Sequence, residues 1–132
     1  MKCWENLLND NKEILDCINS QLDKERSSGI EITPPENVQL RFMTRDLSAV
    51  KILILGQDPY PQSGVATGRA FEVGTLQSWF DSFRNTSLKN IVRAIYAARN
   101  DKILKFNEIL SEIKSGNFKI LPPNELFAAL EA

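Results

Sequence analysis

The chain contains no histidine and only two cysteines among its 132 residues. Zinc is seldom held by carboxylates alone, so no metal centre is expected and no cofactor is indicated. Placed on one helix at 1.5 Å rise per residue, Cys3 and Cys17 would stand about 21 Å apart, too far for a disulfide, and they read as reduced thiols. No run of about 18 apolar residues occurs, and the opening Met1-Lys2-Cys3-Trp4-Glu5 turns acidic too early for a secretory signal. Neither membrane insertion nor export is therefore expected, and the cytoplasm is the expected compartment. A strong charge of one sign is missing as well. Sixteen Lys and Arg against seventeen Asp and Glu leave a net −1, which does not advertise a polyanion partner.

What is present fits one globular domain, with 42% hydrophobic and 25% charged residues spread over residues 1–132. Charge is unevenly placed. Arg84, Lys89, Arg93, Arg99, Lys102 and Lys105 stand against Asp101 alone, a local excess that a solvated helix face also explains.

Trp4, Leu7, Leu8, Ile14, Leu15, Ile18 and Leu22 recur at helical spacing, and the polar segment Asp23–Gly29 supplies a stop. This predicts one or two amphipathic packing helices. Pro34 and Pro35 mark a turn before a short helix from about Glu36. Val50 to Gly56, "VKILILG", is a near-continuous apolar run of strand length, the pattern of a strand covered by helices on both faces. It predicts an α/β fold: three layers, α/β/α, around a short central parallel sheet. Ala70 to Val73 is the expected second short strand. Thr86 or Ser87 can cap a helix bearing the stripe Leu88, Ile91, Val92 and Ile95, and a further helix is expected over Lys102 to Lys114. A possible short strand in "GNFKIL", a second Pro-Pro turn and an apolar helix to Ala132 complete the reading. One buried strand is few for a parallel sheet, so the domain is expected to be incomplete.

Ligands of parallel sheets collect beyond the carboxyl ends of the strands, where Gln57, Asp58 and Tyr60 fall. As a turn, "GQDPYP" has a plain explanation, because Asp-Pro and Tyr-Pro favour turns and Gly56 relieves crowding. Gly56, Gly64 and Gly68 lack both the phosphate-loop Lys-Ser/Thr and the dinucleotide spacing, which argues against nucleotide binding.

The order of these residues resembles the uracil-DNA glycosylases. Ile32 to Val73 is similar to that family's Pro-Pro segment, first core strand, water-activating Gln-Asp-Pro-Tyr loop and following Gly-x-Ala-Phe stretch, and Thr86 to Ile91 resembles its Ser-Leu-x-Asn-Ile helix start. Five fixed residues in "GQDPY" make the likeness more specific than any glycine pattern. The resemblance implies a DNA repair enzyme that flips a deoxyuridine out of the stack and hydrolyses its glycosidic bond, releasing uracil. It implies that Asp58 orients water and faces the positive charge growing on the sugar. Such a charge pair at 4 Å contributes roughly 4 kcal/mol at an effective dielectric of 20, about three decades in rate. Gln57 would bond the base edge, Tyr60 would block the methyl group of thymine, and Phe71 would stack on the extruded ring. Ser87 would hold a DNA phosphate at a helix N-terminus, with Pro59, Lys89 and Arg93 as further DNA contacts. Without the family, Phe71 reads as core, Ser87 as a cap and Tyr60 as a turn residue.

Departures accompany the likeness. Pro61 and Thr67 stand where the family commonly has histidine, and "DSFRNTS" replaces its proline-rich loop. The asparagine strand and the histidine loop that meet uracil in the family have no counterpart before Ala132. Loss of one donor aimed at a developing anion costs about two to three decades, so weak activity or none is expected of the chain as given. A catalytically incomplete homologue or fragment acting as a DNA-binding or interaction module is the alternative. With a sheet edge left unpaired, self-association is expected.

Overall fold

The structure is a computed structural model that describes residues 2–131. The Cys3 side chain, on which the disulfide argument turns, and Ala132, where the last helix is expected to end, lie outside the described residues. Among the described residues there are five α-helices: α1 (Lys2–Asp10), α2 (Lys12–Ser27), α3 (Thr86–Asn100), α4 (Phe106–Lys114) and α5 (Pro123–Glu131). Short 3-10 turns span Glu36–Val38, Arg41–Thr44 and Leu47–Ala49. The chain divides into two compact units, with the boundary between Ala70 and Phe71.

The expected α/β/α fold with a central parallel sheet is overturned, because no strand occurs among the described residues. The reason is pairing. A strand exists only when its N–H and C=O groups find a neighbour, and Val50 to Gly56 has none. Ile52, Leu53, Ile54 and Leu55 are 80, 74, 59 and 86% exposed. Ala70 to Val73, the expected partner, turns over at Phe71, whose φ is +66°. The third candidate, around Phe118 to Leu121, is a loop whose carbonyls are taken by side chains. Arg99 Nη1 donates to Lys119 O at 3.2 Å and Trp79 Nε1 to Leu121 O at 2.8 Å.

In the first unit the N-terminal periodicity yields two helices rather than one. They break at Asn11, where the Leu7 carbonyl accepts from both Asn11 N at 3.2 Å and Asn11 Nδ2 at 2.9 Å. Gly29, at φ +85°, follows α2 in the left-handed conformation that a residue without a Cβ adopts unstrained, while Ile30 N reaches back to Glu25 O at 3.1 Å. The packing role expected of this segment is not met in α2, none of whose residues is buried. Trp4 rests edge-on against Phe42 at 5.6 Å between ring centroids and donates its indole N–H to Arg45 O.

All the buried apolar side chains among the described residues belong to the second unit: Val73, Leu76, Trp79, Leu88, Val92, Tyr96, Ile109, Phe118, Pro123, Leu126 and Phe127. Helix α3 contributes Leu88, Val92 and Tyr96, spaced four apart on one face, with Ile91 and Ile95 half-buried beside them. Tyr96 meets Phe118 edge-to-face at 4.9 Å, and Ile109 of α4 is fully buried. Helix α4 begins at Phe106 rather than Lys102. Its start is fixed by Glu108, whose carboxylate accepts from Lys105 N at 2.7 Å.

Candidate functional site

Gln57, Asp58, Pro59 and Tyr60 lie in the first unit, directly after the exposed apolar run. The first three are exposed and Tyr60 is half-buried. From Lys51 to Pro61 no backbone hydrogen bond is made among the described residues, and the Asp58 carboxylate has no hydrogen-bond or ionic partner there. Asp58 is therefore an open acceptor. A carboxylate in that condition can orient a water or face a cation, since none of its lone pairs is already engaged.

Further along the first unit, the stretch around Gly68 packs against the Glu36–Val38 turn. The φ of Gly68 is +81°, and a Cβ built there would sit 2.1 Å from the Val38 carbonyl oxygen, so only glycine allows the stretch to lie there. Arg41 Nη1 adds a long bond to Thr67 O at 3.4 Å. Sequence reasoning missed this contact, although the glycine itself was visible. Its partner, more than two dozen positions away, was not.

Phe71, Ser87, Lys89 and Arg93 belong to the second unit. Phe71 is half-buried in a left-handed conformation that a bulky residue rarely adopts, at a cost of order 1–3 kcal/mol. Ser87 is exposed and is the second residue of α3. Neither it nor Thr86 caps the helix as expected. The N-cap is Asn85, which makes no side-chain cap bond, and no acidic residue occupies the first turn. The first turn of α3 therefore carries neither a side-chain cap from Asn85 nor an acidic residue of its own to complement the helix dipole.

Lys89 and Arg93 are half-buried and already engaged. The Lys89 ammonium stands 4.9 Å from the Phe83 ring centroid and 5.7 Å from that of Phe106, two rings that meet edge-on at 5.5 Å. Arg93 donates from Nε to Leu104 O at 3.1 Å and from Nη1 to Asn90 Oδ1 at 3.0 Å. Both cations bind α3 to the segment that starts α4. Residue spacing alone gave no signal of this, because Phe83 and Phe106 lie on either side of the helix in sequence.

Among the described residues no group of three or more Cys, Asp and Glu is placed to hold a metal ion, and no helix is long and apolar enough to cross a membrane. The open hollow along α2, lined by Asp16, Asn19, Ser20, Asp23 and Lys24 among others, contains none of the candidate residues.

No family model matches the chain, and no solved structure does. Among curated proteins, a uracil-DNA glycosylase of Klebsiella pneumoniae is 42% identical over 73 residues, covering 53% of this chain and 32% of that protein. Uracil-DNA glycosylases of Salmonella arizonae and Salmonella newport give the same 42% identity over 73 residues. The chain spans about a third of the length of the curated relatives it matches. Over about half of its residues, the chain is related to the uracil-DNA glycosylase family.

Proposed function

We propose that the chain acts in DNA base-excision repair as part of a single glycosylase domain that releases uracil from DNA. The observation that carries this reading is the 42% identity to uracil-DNA glycosylases in a chain whose Gln57-Asp58-Pro59-Tyr60 turn leaves its one carboxylate unengaged. Asp58 orients the attacking water and opposes the positive charge of the sugar as the glycosidic bond lengthens. Gln57 bonds the edge of the base. Tyr60 excludes a C5 methyl group, and Phe71, fixed by its strained backbone, stacks on the flipped ring. Ser87 and the first turn of α3 take a phosphate, with Pro59, Lys89 and Arg93 along the strand. The cytoplasm is the proposed compartment.

The chain offers no imidazole to the departing uracil anion, so its own rate is expected about two to three decades below that of a complete glycosylase. The absence of histidine also favours a second reading, a DNA-binding module that does not cleave. The two separate in one experiment. Under single-turnover conditions with uracil-containing single-stranded DNA, the proposal expects slow formation of abasic sites that Asp58→Asn reduces about 100-fold or more. Salt-sensitive DNA binding without base release would establish the second reading and end the first.

A further inference from the structure

Among the described residues one charged side chain is buried, that of Glu72, which is 5% exposed. A buried carboxylate is costly unless it is bonded. Glu72 has an interaction partner, and no buried side-chain nitrogen or oxygen among the described residues lacks a hydrogen bond. It follows directly on Phe71, whose φ is +66°. The other described residue with positive φ that is not glycine, Asp101, lies just past the end of α3, where aspartate adopts that conformation readily. A phenylalanine does not. Among the described residues, the one buried charge and the one bulky left-handed residue therefore stand side by side.

A bulky residue keeps such a backbone only where its surroundings over-determine it. Phe71 and Glu72 share a planar peptide, so holding the Glu72 side chain in place limits the rotation of that plane about Phe71. Val73 is buried as well, at 7% exposure, and Leu76 N closes the following turn onto Val73 O at 2.9 Å. Apolar burial has no direction, however, whereas the hydrogen bonds of a carboxylate have one. A small rotation costs Val73 little. It costs Glu72 a bond in a place where water does not replace it. We propose that Glu72 is a positioning residue: its bonded, buried carboxylate holds Phe71 left-handed and so sets the ring that stacks on the flipped base. The role of that ring rests on the glycosylase reading, while the hold on its backbone rests on the second unit alone.

The hold is measurable without any activity. At a left-handed position glycine is favoured over alanine by about five- to thirtyfold in the folding equilibrium, because the conformation opposes a Cβ. At an ordinary position alanine is favoured instead. Urea unfolding followed by Trp79 fluorescence, in a Trp4→Phe background, compares Phe71→Gly with Phe71→Ala as a double-mutant cycle against residue 72. With Glu72 in place, glycine is expected to be favoured. Glu72→Ala is expected to lower that preference about fivefold or to reverse it. Glu72→Gln removes the charge and keeps the shape, is expected to lower the preference about threefold, and carries the test should the alanine variant not fold. Ile109→Val, a loss of packing in α4, is expected to leave the preference where it was.

A second cycle reads the consequence for the site. In single-turnover release from uracil-containing single-stranded DNA, Glu72→Gln is expected to slow the wild type about threefold or more and to have no further effect once Phe71 is alanine, because the ring it positions is gone. A merely structural role would slow both proteins alike. A glycine preference indifferent to residue 72, a preference that Ile109→Val lowers equally, or additive losses in the release assay overturns the inference. Coupling in the unfolding cycle with no uracil released by any of the proteins establishes the hold on Phe71 and ends only the glycosylase reading.

Discussion

Truncating Leu88 and truncating Leu55 remove the same atoms from two leucines that the sequence pattern alone ranks as core, yet the structure assigns them opposite consequences. Leu88 is 0% exposed within a core shared with Val92 and Ile109, whereas Leu55 is 86% exposed. Full burial of a leucine side chain stabilises by about 1.5–3 kcal/mol, and the cavity left by Leu→Ala raises the loss to about 2–5 kcal/mol. At one-seventh burial, Leu55 contributes only about 0.2–0.4 kcal/mol by the same transfer scale. A unit the size of the second one has a stability of about 3–9 kcal/mol at typical values per residue, so Leu88→Ala removes much or all of it. The assay is urea unfolding followed by the fluorescence of Trp79, which is buried, in a Trp4→Phe background, at concentrations where the chain is monomeric. A loss below about 1 kcal/mol for Leu88→Ala, or a loss above about 2 kcal/mol for Leu55→Ala, would refute the placement of the core.

Gly68→Ala is expected to loosen the glycine loop of the first unit, since its left-handed backbone alone costs about 1–2 kcal/mol and the new Cβ overlaps the Val38 carbonyl; limited proteolysis between residues 56 and 70 should accelerate, and unchanged cleavage would argue against the contact. Lys89→Met is expected to cost about 0.5–1 kcal/mol of stability through loss of the Phe83 and Phe106 contacts. The same variant should lower the salt slope of DNA binding by about one if Lys89 also reaches a phosphate, and a slope that does not move confines Lys89 to the structural role. Trp79→Phe removes the donor to Leu121 O and should destabilise by about 1–3 kcal/mol in a denaturation series.

Much of the helical architecture was legible because local periodicity decides it. The stripe beginning at Leu88 places α3 correctly, and the apolar spacing from Trp4 to Leu22 anticipates the helices of the first unit. The sheet was not legible, for a physical reason. "VKILILG" has the composition of a buried strand, but composition states only what a segment would do beside a partner, and a partner is a long-range fact. The strand expected at Ala70–Val73 fails at Phe71, where a left-handed φ that no propensity favours reverses the chain. Candidate residues fared differently from one another. The turn that Gly56, Pro59 and Pro61 suggest is only a bend at Gln57 and Asp58, with no backbone hydrogen bond to close it among the described residues. The charges of Lys89 and Arg93 were visible, but their aromatic and carbonyl partners depend on how α3 meets the start of α4. Thr86 and Ser87 both suit a cap by residue type, yet the chain enters its helix through Asn85 instead.

The central claim is that Asp58 does chemistry on deoxyuridine in DNA, and single-turnover release of free uracil by the wild type and by Asp58→Asn measures it most directly. The account predicts slow release by the wild type and loss of about two decades or more in the variant. Equal rates in the two proteins, or no release from either, would contradict it.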